Sequence, residues 1–115
     1  MNKSTITIEV SLDEKRVPET IAWNASDTTA ENAQQAKAMM MALWDGAEKT
    51  ALRIDLWTKD MMMDEMADFF YQTMMTMADT YGRATRYNDM VEEMKKFAAD
   101  FYTKFRDRQL KENKA

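Results

Sequence analysis

The chain predicts an α+β fold: a small, mostly antiparallel three-stranded sheet and three helices in the order ββαβαα. The last two helices would form a hairpin packed on one face of the sheet. Three observations carry this. Residues 6–12 and 50–58 alternate apolar and polar side chains with the period of two that a half-buried strand requires. Residues 33–44, 66–84 and 91–105 place apolar side chains three and four apart, the spacing of a helical stripe. One Pro and two Gly in 115 residues leave little room for long irregular loops, and that length suits one domain over residues 1–115.

In the first strand Ile6, Ile8, Val10 and Leu12 alternate with Thr7, Glu9 and Ser11. Residues 13–16 form a charged turn. Val17, Ile21 and Trp23 mark a second strand, paired with the first as a hairpin. Pro18 stands near its start, where a missing N–H is tolerated, and suggests an edge strand. Ser26 or Asp27 would cap the first helix, with Glu31 near its first turn. Its stripe would be Ala33, Ala36, Met40, Leu43 and Trp44. Asp45-Gly46 would end it, because glycine accepts the left-handed conformation of a helix terminus.

Residues 50–58 are the third strand, with Leu52, Ile54 and Leu56 on one face and Arg53, Asp55 and Trp57 on the other. Placed beside the first strand, it would be joined to the second by a right-handed crossover through the first helix. The second helix begins within residues 60–64 and runs to about Tyr87, with Met66, Phe70, Thr73, Met77, Tyr81 and Ala84 as its inner stripe. Asn88-Asp89 breaks it, and Asp89 with Glu92 has the spacing of a capping box for the third helix. Val91, Met94, Phe97 or Ala98, Phe101 and Phe105 form the third stripe. Gly82 weakens the second helix by roughly 1 kcal/mol relative to alanine. It would permit either a close helix approach or a local kink.

Composition excludes several chemistries. Without cysteine there is no disulfide, thiol nucleophile or thiolate zinc site. Without histidine the usual general base near neutral pH and the usual metal ligand are missing. A net charge of −4 gives no footprint for nucleic acid. The last thirteen residues, with five basic and two acidic side chains, are the exception, and cations there complement a helix C-terminus. The first residues lack the apolar run of a signal peptide, and nothing reaches roughly 18 uninterrupted apolar residues. The expectation is a cytoplasmic, non-enzymatic protein without a cofactor.

Three groups of residues are candidates for function. Trp57 lies opposite the Leu52–Ile54–Leu56 face beside Arg53 and Asp55, and an outward tryptophan among charges suits a protein-binding hot spot. The alternative folds its ring over the sheet end, with Arg53 and Asp55 making cross-strand pairs to Glu9 or another residue of the first strand. The thirteen methionines include the run Met61, Met62 and Met63, which cannot all face one core and so offer a partner-facing corner or a loosely packed helix entry. Met40, Met66 and Met77 read as core filling, as do Trp23 and Trp44. Asp60, Asp64 and Asp68, spaced by four with Glu65 beside them, are weak metal candidates. Acids at a helix N-terminus more often complement its dipole.

Two other classes stay open: an apolar small-ligand site among the methionines and aromatics, and a carboxylate- or metal-dependent enzyme. Helices longer than the sheet they cover would also leave apolar surface for a second copy, making a homodimer through the helical hairpin a reasonable expectation.

The stretch LRIDLWTKDMMMDEM, Leu52 to Met66, resembles the signature of the GldC family of bacterial gliding-motility proteins of the Bacteroidetes. The resemblance continues in FFYQT from Phe69, MADTY from Met77 and RAT from Arg83. Upstream it includes VPETIAW from Val17, AKAMM from Ala36, and Leu43, Trp44 and Asp45. Met62 stands where the family pattern has proline, and Tyr71 where its FHQ has histidine. The resemblance implies a cytoplasmic accessory protein whose partners are other gliding-motility proteins. Tyr71 argues against an essential imidazole.

Overall fold

Strand alternation shapes the first half of the chain and helical spacing the second. The computed structural model describes residues 2–26 and 33–113. Five antiparallel strands form two small sheets: β1 (Ile6–Leu12), β2 (Pro18–Ala25) and β3 (Gln34–Ala36) in the order β1-β2-β3, and β4 (Ala38–Asp45) with β5 (Thr50–Trp57). Two long helices follow, α1 (Met63–Thr85) and α2 (Asn88–Asn113). The strands belong to one compact unit, Met1–Met61, and the helices to a second, Met62–Ala115.

In the three-stranded sheet Val10 and Ala36 both pair with Ile21, so Ile21 sits at the centre with a neighbour on each side. It is almost wholly buried. The charged turn forms as expected. Asp13 accepts the N–H groups of Lys15 and Val17 on Oδ1, and Arg16 takes a left-handed φ of 64°. β2 is the central strand, which corrects the edge position inferred from Pro18. The proline is tolerated because β3 pairs only with residues 21–23, and because the β1–β2 register shifts between Ser11 and Leu12, beside Pro18.

The largest correction concerns the first helix. The stretch holding Met40, Leu43 and Trp44 is β4, so the described residues contain two helices and not three. Alanine, methionine and leucine are good helix formers, but eight paired positions with β5 outweigh local preference. The same pairing overturns the crossover topology, since β5 neighbours β4 and not β1. Asp45-Gly46 opens a hairpin turn instead. Asp45 Oδ1 accepts the N–H groups of Ala47 and Glu48, and its carbonyl accepts that of Lys49. Lys49, with φ 56°, carries the left-handed conformation assigned to glycine. Of the expected cap residues, Asp27 and Glu31 lie outside the described residues. Ser26 closes the β1–β2 ladder by exchanging hydrogen bonds with Thr5.

The helices run antiparallel, with Gly82 facing Val91, Asp79 paired with Lys95 at 2.6 Å, and the rings of Tyr71 and Tyr102 5.0 Å apart. Their fully buried side chains, among the described residues, are all alanine: Ala67, Ala78 and Ala98. Gly82 serves close approach, since a Cβ there would stand 3.0 Å from Val91 Cγ2. Tyr71 packs within this helix pair, against Tyr102. The Met62 N–H donates to Glu65 Oε1 at the start of α1. α1 ends at Arg86, whose left-handed backbone lets its N–H reach the Gly82 carbonyl. α2 starts two residues earlier than a cap at Asp89 would place it. Val91 donates to the Tyr87 carbonyl, so Asp89 lies inside the first turn and complements the dipole there instead of capping the helix.

Candidate interaction surface

The β4–β5 hairpin has two faces of different chemistry, set by its register. Met39, Met41 and Leu43 pair with Leu56, Ile54 and Leu52, giving one apolar face. Ala38, Met40, Ala42 and Trp44 pair with Trp57, Asp55, Arg53 and Ala51, giving the other. The parity read from the sequence is therefore the one observed. The apolar face is nevertheless not sealed, and Leu43, Leu52 and Ile54 are each about half exposed.

On the second face Trp57 is 57% exposed and Trp44 69% exposed, one near each end of the hairpin. Trp44 and Trp23 were expected in the core. Trp44 lies outside because its segment is a strand, and Trp23 is partly exposed although it pairs with Ile8. Met77 is likewise half exposed rather than core. Arg53 and Asp55 pair with each other along one strand rather than across to Glu9. The guanidinium donates from Nε and Nη2 to the two carboxylate oxygens at 3.2 and 2.8 Å. This hydrogen-bonded pair holds the Asp55 carboxyl below, and the Arg53 guanidinium above, their ordinary values. Its mutual satisfaction gives Trp57 a charged but locally neutral border.

Thr58, just past β5, is buried and anchors the hairpin base. Its N–H and its hydroxyl both reach the Lys37 carbonyl, at 2.8 and 3.1 Å, across the bend between β3 and β4. Its hydroxyl also lies within hydrogen-bond reach of the Asp60 carboxylate, an interaction that lowers the Asp60 pKa. Sequence spacing missed this residue, because threonine at a strand end carries no distinctive signal. Lys59 reaches back to Asp13 at 2.8 Å and to Glu19 at 3.5 Å.

The remaining candidates separate. Met61 ends the strand-rich unit, while Met62 and Met63 begin the helical unit and are strongly exposed. Asp60 is engaged with Thr58, Asp64 caps the Glu65 N–H, and Asp68 accepts a hydrogen bond from the Tyr102 phenol, raising the tyrosine pKa. Among the described residues no group of three acidic side chains is placed to hold a metal ion. α1 begins at Met63, so Asp60 lies outside the helix that carries Asp64 and Asp68. No described helix is long and apolar enough to cross a membrane.

Neither the characterised proteins nor the solved structures compared with this chain give a match. A family model does, over residues 18–107, a span that includes β2, the tryptophan-bearing hairpin, all of α1 and most of α2: the chain belongs to the family described as gliding motility-associated protein GldC-like.

Proposed function

We propose that this protein is a non-enzymatic interaction module of the gliding machinery, acting in the cytoplasm by presenting the Trp57 face of its β4–β5 hairpin to a protein partner. The carrying observation is a large aromatic side chain, 57% exposed, beside an ion pair that neutralises itself. Such an anchor buries apolar area on binding without stranding a charge, which suits a hot spot. The family is described by a cellular process and not by a reaction, and a chain without histidine or cysteine lacks the commonest groups for acid–base and nucleophilic catalysis. Met61, Met62 and Met63 would offer adaptable side chains of their own to a partner. The exposed apolar residues of the helical hairpin support a second contact, with another copy of the chain.

Affinity co-purification from the native cells, comparing wild type with Trp57→Ala, tests the adaptor reading. A partner retained by wild type and lost by the variant is expected. Identical partner sets from two equally folded proteins would remove Trp57 from the interface. Turnover by the purified protein that disappears on replacing one acidic residue would overturn the non-enzymatic part.

A further inference from the structure

We infer that the helical hairpin dimerises through one defined face, formed by Met66, Phe70 and Met77 of α1 with Met90, Phe97 and Phe101 of α2. This rests on the reading of the hairpin as a self-pairing element and specifies the surface it uses.

The face follows from helical geometry. Each helix carries two apolar stripes rather than one. The stripe joining the helices runs through Ala67, Tyr71, Ala78 and Gly82 on α1 and through Val91, Ala98 and Tyr102 on α2. The second stripe lies one residue earlier at each level: Met66, Phe70 and Met77, and Met90, Phe97 and Phe101. One residue is about 100° of rotation. Because the helices are antiparallel, the same sense of rotation in both swings the two outer stripes to the same side of the pair. They make one continuous face.

Four of the six residues of that face are exposed. Phe97 is 65% exposed, Met77 50%, Met90 44% and Phe70 41%. Among the described residues the buried side chains of this unit are alanines, and the larger groups between the helices, such as Tyr71, Tyr102 and Val91, are only partly buried. Layers of secondary structure are stable when each apolar face meets another.

A second copy is the occupant that fits. From Met66 to Ala84 the face is roughly 27 Å long, and two packed helices are about 20 Å wide. Its outline is therefore on the order of 500 Å², and the corrugated accessible area is larger. That approaches the roughly 800 Å² per partner of a stable interface. None of the six stripe residues is charged. An identical face can therefore meet it about a twofold axis without setting like charges together, which is the requirement of an isologous dimer. Phe and Met side chains interdigitate readily, and two hairpins so joined make a four-helix bundle.

The test is sedimentation equilibrium of the full chain over a wide concentration range, with Phe97→Glu, Met77→Glu and the control Ala99→Glu. Ala99 is exposed on the opposite side of α2. Wild type and Ala99→Glu are expected at twice the 13.5 kDa monomer mass. Both face variants are expected to keep their helical circular dichroism and to dissociate about a hundredfold more readily. A wild-type protein that stays monomeric at every concentration overturns both the self-pairing and the face. A dimer that neither Phe97→Glu nor Met77→Glu weakens overturns the face while leaving self-pairing standing.

Discussion

Replacing Gly82 by alanine sets two effects of opposite sign against each other. Alanine is about 1 kcal/mol better than glycine inside a helix, so the exchange alone would stabilise α1. A Cβ at this position, however, would lie 3.0 Å from Val91 Cγ2 on the facing helix, tighter than an ordinary van der Waals contact. Overpacking of this kind costs about 1–3 kcal/mol. The balance predicts that Gly82→Ala destabilises the protein by about 1 kcal/mol. In a Val91→Ala background the methyl that blocks the new Cβ is gone, so the same exchange should stabilise by about 1 kcal/mol. The coupling between the two sites is then about 2 kcal/mol, well outside the few tenths expected of independent positions. Denaturant unfolding of the four proteins, followed by circular dichroism at 222 nm and by tryptophan fluorescence, measures all sides of the cycle. Additivity within about 0.3 kcal/mol would refute the close approach of α1 and α2 at this point.

Three further outcomes follow from other contacts. Asp45→Ala removes the acceptor for the N–H groups of Ala47 and Glu48, and should cost about 1 kcal/mol in urea unfolding, with Asp45→Asn recovering most of it. Tyr102→Phe deletes the bond to Asp68 while keeping the ring against Tyr71, and should lower the midpoint of thermal or urea melts slightly. The Lys59 hydrogen bond, helped by the Val17 N–H, holds Asp13 below its ordinary 3.8. Its stabilising effect is therefore complete above that value and lost as pH falls through the lower folded value. Asp13→Asn should be less stable than wild type at pH 7, with the gap narrowing as pH falls below 3.8 in paired melting curves. A gap that widens on acidification would contradict the assignment.

The parts of the fold legible in the sequence were those written by local period. Ile6, Ile8 and Val10, and Leu52, Ile54 and Leu56, alternate cleanly, and both strands stand where alternation put them. The long helical stripes of α1 and α2 were equally plain, although their multiplicity was not. A single inner stripe was assigned to α1, and the packed one proved to be its neighbour through Ala67 and Ala78. β4 was illegible by period, because Met39, Met41 and Leu43 satisfy alternation while Met40, Leu43 and Trp44 satisfy helical spacing. What decides between them is a partner strand several residues later. Asp45-Gly46 between two apolar runs was the available hairpin signal. At the candidate surface, strand parity placed Trp57, Arg53 and Asp55 together. The anchoring by Thr58 depends on a carbonyl 21 residues away, at Lys37, which no local pattern reports.

The attachment of Thr58 to the Lys37 carbonyl has a mechanical meaning. β4 and β5 meet at their open end where Ala38 pairs with Trp57, and an antiparallel hairpin pulled apart there unzips one rung at a time. A partner tugging on Trp57 away from β4 would load that weak end first. The Thr58 clamp lies immediately beyond it, fastened to the bend from which β3 continues into the other sheet. The load is thereby passed through the Thr58 N–H, with the hydroxyl shared between Lys37 and Asp60 beside it, to the strand that pairs with β2, instead of being concentrated on the terminal rung. In a protein of the motility apparatus, the tryptophan is mounted where a pull is shared between two sheets, and Thr58→Val would leave the surface and the N–H bond intact while removing the hydroxyl that ties Lys37 and Asp60 together behind it.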